Sequence, residues 1–74
     1  MANTKTMNNF REKLKELRLE RGLGQIVLAK EIGVSKSVVS FWENGRCEPT
    51  LTPLVAMANF FEVSLDVLTG REEY

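Results

Sequence analysis

The same local pattern recurs at three places in this chain: an apolar residue, a small residue suited to begin a helix, and a second apolar residue four positions later. Leu23-Gly24 is followed by Leu28, Val34-Ser35 by Val39, and Val63-Ser64 by Leu68. In a hydrophobic staple the residue before the N-cap packs on the fourth helical residue, so each copy marks a helix start. Gly24 is the weakest of these caps, because it has no side-chain acceptor. A fourth start falls at Thr50 or Thr52, with Pro53 tolerated in the first turn. Upstream, Phe10, Leu14, Leu17 and Arg21 recur at helical spacing as far as Gly22, which suits a left-handed cap. Starts this close together leave room only for short helices and tight turns, and no period-two alternation argues for a strand. The pattern predicts five helices, over about 8–21, 25–32, 36–44, 51–62 and 65–69, packed as a compact all-α bundle. The fourth is expected to bury Leu51, Leu54, Val55, Ala58 and Phe61.

A chain of 74 residues forms one small domain. Residues 1–8 read as a flexible polar tail, 9–70 as the domain and 71–74 as a second short tail. An apolar content of 43% is neither disordered nor membrane-spanning, and no apolar run approaches the ~20 residues a bilayer requires. The opening MANTKTMNN lacks the apolar run of a secretory signal. Cys47 is the only cysteine, which rules out an internal disulfide and fits a reducing cytoplasm. With no histidine, no base beside Cys47 and no glycine-rich phosphate loop, neither an enzyme, a metal site nor a cofactor is expected.

The formal net charge is zero, but its distribution is uneven. Residues 1–46 carry nine basic and five acidic side chains, whereas 47–74 carry one basic and five acidic. A neutral chain of this kind can still present one positive face.

The second and third helices are separated only by Gly33-Val34-Ser35, the short glycine turn of a helix-turn-helix unit. Ala29 is small where a larger residue would hold the two helices apart, Gly33 permits positive φ, and Val34 plugs the angle. Around the third helix, Val38, Trp42 and Val39 fall at about 200°, 240° and 300° from Lys36, a buried arc. Lys36, Ser40, Asn44, Ser37 and Phe41 fall at about 0°, 40°, 80°, 100° and 140°, an outward arc of mostly short polar groups. Such a face suits close approach to a surface rich in acceptors, and the DNA major groove admits a helix of this kind. A merely solvated face is the competing explanation.

From Phe10 to Arg71 the chain resembles the Cro/repressor-type helix-turn-helix family of phage and bacterial regulators, through LKELRLERGLGQ, LAKEIGVSKSVVSFWENG and EPTLTPLVAMANFFEVSLDVLTG. Arg18, Gln25, Ala29, Gly33, Val39, Trp42-Glu43-Asn44-Gly45 and Pro49 carry the match. The resemblance implies a five-helix phage-repressor-type bundle that binds specific double-stranded DNA as a transcriptional regulator, a repressor, and works as a homodimer on a palindromic or pseudo-palindromic site. It implies base reading by Lys36, Ser37, Ser40 and Phe41, and phosphate binding by Gln25, Ser35, Asn44 and Arg46, the last, in the loop after the third helix, as a backbone or minor-groove contact. It implies structural roles for Ala29, Gly33, Val39 and Trp42, and an internal ion pair between Arg18 and Glu43. For Gln25, Ser35 and Asn44, plain helix capping is the alternative.

Four positions depart from the family pattern: Gly24 replaces Ser or Thr, Ile26 and Val27 replace acidic or polar residues, and Phe41 replaces a polar or basic reader. Phe41 either touches a thymine methyl or lies against Val38. Phe60 and Val67 are expected to be exposed. A second reading is a protein-interaction module or antitoxin-like subunit with Ile26, Val27, Phe41 and Phe60 as its adhesive surface.

Overall fold

Gly33 takes φ +86°, a left-handed conformation that costs a side-chain-bearing residue about 1 kcal/mol or more. Its placement makes the chain turn sharply, and the same device is used four times. In the computed structural model, which describes residues 2–70 and side chains from residue 9 onward, five helices are present. They are α1 (Ala2–Glu20), α2 (Gln25–Ile32), α3 (Lys36–Asn44), α4 (Leu51–Phe61) and α5 (Leu65–Leu68), with no strand among the described residues. The first four are each followed by a left-handed residue: Gly22, Gly33, Gly45 and Glu62. Past each, a backbone N–H donates to a carbonyl in the helix's last turn, which is the Schellman lock. Leu23 donates to Arg18 (3.1 Å), Val34 to Ala29 (2.9 Å), Arg46 to Phe41 (2.8 Å) and Val63 to Ala58 (3.0 Å).

The helix starts follow the predicted caps. Ser35 Oγ accepts from the Val38 N–H at 3.2 Å, and Ser64 Oγ accepts from the Val67 N–H at 3.1 Å. Gly24 and Thr50 occupy N-cap positions without any side-chain bond. Val34 and Val63, the residues before the two serine caps, are half-buried against the core.

One continuous core joins all five helices. Phe10, Leu14 and Leu17 of α1 meet Leu28 and Ala29 of α2, Val39 and Trp42 of α3, Met57, Ala58 and Phe61 of α4, and Leu68 of α5. Helix α3 packs on α1 and α2, α4 on α2 and α5, and α5 closes back on α1. The radius of gyration, 11.1 Å, matches the about 11 Å expected of a single folded unit this long.

Four expectations need correction. Helix α1 begins at Ala2, so backbone expected to be a flexible tail over 1–8 is helical from its second residue. The stretch ANTKTMNN contains no glycine or proline to stop a helix from extending backwards, although it has no apolar stripe to announce one. The second expected tail, 71–74, lies outside the described residues. In α4, Leu51 and Val55 are exposed, and the buried stripe is Leu54, Met57, Ala58 and Phe61 at the i, i+3, i+4, i+7 spacing. LTPLVAMANFF is apolar nearly all round, so its own pattern does not choose a face; packing against α2 and α5 does. Val67 is buried rather than exposed, and Phe60 is half-buried, edge-on to Phe61 with ring centroids 5.1 Å apart. Val38, expected in the buried arc, is half-buried against the core.

Candidate nucleic-acid interface

Trp42 anchors α3 to the core at 3% exposure, with Val39 fully buried beside it. The opposite side of the helix therefore faces out. Lys36, Ser37, Phe41 and Asn44 are exposed, and Ser40 is half-buried. Ser40 Oγ is within 3.4 Å of Asn44 Nδ2, which donates to it, so these two side chains brace one another along the face. Phe41 keeps 39% of its surface, and the Arg46 guanidinium lies over its ring, 5.9 Å from the centroid. Arg46 is held there by its own backbone bond to the Phe41 carbonyl.

The flanks of α3 carry the other polar groups. Ser35 is exposed and its oxygen caps α3, which leaves its hydroxyl proton available to an outside acceptor. Gln25 is the first residue of α2 and is half-buried; its Nε2 donates to Glu43 Oε1 at 3.0 Å. Ser35 thus caps α3 through its oxygen, and the Asn44 amide bonds the Ser40 side chain. Next to Gln25, Ile26 and Val27 stand exposed at 58% and 46%.

Behind this face lies a buried ion pair. Arg18 Nε donates to Glu43 Oε2 at 2.7 Å and Arg18 Nη2 to Glu43 Oε1 at 3.0 Å, a bidentate fork. Arg18 Nη1 donates to the Leu23 carbonyl at 2.8 Å. One guanidinium therefore ties α1, the turn before α2 and the end of α3 together. The hydrogen bond to Glu43 raises the Arg18 pKa above its ordinary value; burial opposes this, and the attraction of the carboxylate adds to it.

Two basic residues of α1 that sequence reasoning did not single out also reach this region. Arg11 Nη1 is 3.4 Å from the Asn44 carbonyl and covers Gly45, where any added Cβ would strike the guanidinium. With Glu12, Lys15 and Glu43 it lines an open cleft of about 330 Å³. The signal for them was the i, i+4 spacing of Arg11 and Lys15 in α1, which puts both on one side of that helix.

A family model described as helix-turn-helix matches residues 14–68. This chain belongs to that helix-turn-helix family. Among its curated relatives, a transcriptional activator, BcrR of Enterococcus faecalis, is 39% identical over 86% of this chain and 31% of its own length. The cryptic phage CTXphi transcriptional repressor RstR of Vibrio cholerae is 34% identical over 86% of this chain and 58% of its own. This helix-turn-helix chain thus spans less than two thirds of either relative. In structure it superimposes on the P22 c2 repressor, solved in complex with a synthetic operator, with TM-score 0.79 and 28% identity, covering 85% of this chain and 96% of that one. The five-helix architecture is therefore that of a phage-repressor domain. No described helix of this family member is long and apolar enough to cross a membrane, and no group of three metal-ligating side chains occurs among the described residues.

Proposed function

We propose that this domain binds a specific double-stranded DNA site and regulates transcription there, with α3 in the major groove. One observation carries the reading: apart from Phe41 the outward face of α3 is short and polar, while Trp42 locks the reverse side into the core. Lys36, Ser37, Ser40 and Phe41 read base edges, and Phe41 has no polar atom, so the groove feature it suits is the thymine C5-methyl. Gln25, Ser35, Asn44 and Arg46 contact phosphates and set the register. Three N–H groups at the start of α2, those of Gln25, Ile26 and Val27, precede the first intrahelical bond, which Leu28 makes to Gly24, and they aim at the same backbone.

A single α3 reads few base pairs, so two copies act on half-sites about 34–36 Å apart, as a homodimer on a palindromic or pseudo-palindromic operator. Binding there blocks polymerase, as a repressor does, or recruits it. The relatives include one activator and one repressor, so the sign of regulation follows from where the site lies relative to the promoter. The protein works in the cytoplasm, without cofactor, metal or catalytic step.

Selection of bound sites from random duplex DNA at two salt concentrations tests this. A shared motif with two-fold symmetry and tighter binding at low salt supports it; recovery of no sequence preference at either salt would refute it. The exposed Ile26 and Val27 favour a second reading, a protein-binding role for the start of α2. That reading predicts a partner held equally well at high salt and without DNA.

A further inference from the structure

We infer that Glu43 is a positioning residue: held by Arg18, its carboxylate orients the Gln25 carboxamide so that the amide offers its remaining N–H to a DNA phosphate. This rests on the proposed role of Gln25 as a phosphate contact.

The geometry begins with what a carboxylate can do. Ionised, Glu43 only accepts, so the Gln25 atom 3.0 Å from its Oε1 must be the nitrogen. The flipped amide would set a carbonyl oxygen against a carboxylate. The carboxamide therefore has one orientation in the free protein, with one N–H engaged and one left over.

The carboxylate is itself immobile. Both of its oxygens are taken by Arg18, and the two side chains are only 10% and 5% exposed. Its charge is compensated at the same place, so a phosphate approaching Gln25 meets a neutral donor rather than a bare anion. The same guanidinium grips the Leu23 carbonyl, two residues ahead of Gln25, which fixes the backbone from which the glutamine projects.

Glu43 also neighbours Asn44 in α3, so the bridge to Gln25 sets the separation of two phosphate stations on different helices. Gly24 makes no side-chain cap at the start of α2, so the Gln25 amide is the polar side-chain group that opens this helix. Ordering a long side chain before binding removes a cost that otherwise lowers affinity about two- to tenfold.

The test uses the 74-residue chain and a duplex carrying its selected site, in which single phosphates are replaced by neutral methylphosphonates. The wild type loses about tenfold in affinity at the phosphate facing Gln25, the worth of a hydrogen bond to a charged group. That phosphate is identified as the one to which Gln25→Ala has become insensitive. Glu43→Gln, whose amide no longer dictates which end of Gln25 it faces, becomes insensitive at that phosphate and keeps its sensitivity at those facing Ser35 and Arg46. Glu43→Asp keeps a negative charge buried beside Arg18 but draws the carboxylate back by one methylene from the Gln25 amide, so it gives the same selective loss without leaving the guanidinium uncompensated. A uniform drop across all duplexes, with the methylphosphonate profile unchanged, overturns the inference. A second readout needs no DNA. The Gln25 side-chain amide is motionally restricted in wild type by NMR relaxation and becomes free in Glu43→Asp; equal order in both also overturns it. Failure of the wild type to bind duplex at all refutes the proposed function instead, and the relaxation comparison still decides whether Glu43 orients Gln25.

Discussion

At the residue scale the most exposed weakness is Glu62. Among the described residues it is the single non-glycine with positive φ, at +59°, where Gly22, Gly33 and Gly45 close the equivalent turns. Glu62→Gly is expected to raise stability by up to about 1 kcal/mol, relief of left-handed strain outweighing the added freedom of the unfolded chain. Urea unfolding reads this as a higher midpoint at unchanged slope. Arg18 lies at the other extreme. Its replacement by leucine leaves Glu43 buried without its cation and is expected to cost about 3 kcal/mol or more. Because the Arg18 pKa is raised, its contribution is complete below the ordinary arginine value and fades only as pH climbs through the raised one. Arg18 therefore adds no pH dependence to stability between about pH 5 and 9, which denaturant titrations across that window check. Phe41 is testable one methyl at a time. Replacing the contacted thymine by deoxyuridine should weaken wild type about fourfold, the value of one buried methyl, and leave Phe41→Ala unaffected. An equal loss in both proteins would take thymine reading away from this ring.

At the element scale, α3 is a nine-residue helix with a complete set of end signals: the Ser35 cap, the Gly45 lock and the buried Val39 and Trp42 between them. Its outward face was legible from sequence because a helical wheel needs only local spacing, and Lys36, Ser37, Phe41 and Asn44 are all exposed. Lys36→Ala is expected to relax sequence preference, whereas Gln25→Ala weakens cognate and random duplexes alike; competition binding with both DNAs separates the two. Helix α4 taught the opposite lesson. A segment apolar on nearly every side says that it is buried somewhere without saying which side, and only the neighbours chose Met57 over Leu51 and Val55. Helix α1 extended through ANTKTMNN because nothing there forbids it, a permission that sequence patterning does not display.

At the scale of the whole molecule, a formally neutral chain is proposed to bind a polyanion. The basic side chains gathered in residues 1–46 make this consistent, because association follows the local face rather than the total. The plot of log K against log[salt] should fall, and Arg46→Ala should reduce its slope by about one. A slope indistinguishable from zero would favour the protein-binding reading instead.

The number of helices, their order and most of their ends were written in short-range terms: staples, caps, glycines past the last turn, and the 3.6-residue repeat. Each depends on residues within a few positions of one another, so the chain alone specified them. The Arg18–Glu43 fork spans 25 residues and the Glu43–Gln25 bond 18, and family resemblance anticipated the first but not the second. The burial of Val67, the half-burial of Phe60 and the reach of Arg11 to the end of α3 were likewise settled by packing. Such contacts depend on how helices stack in space, and no local rule carries that distance.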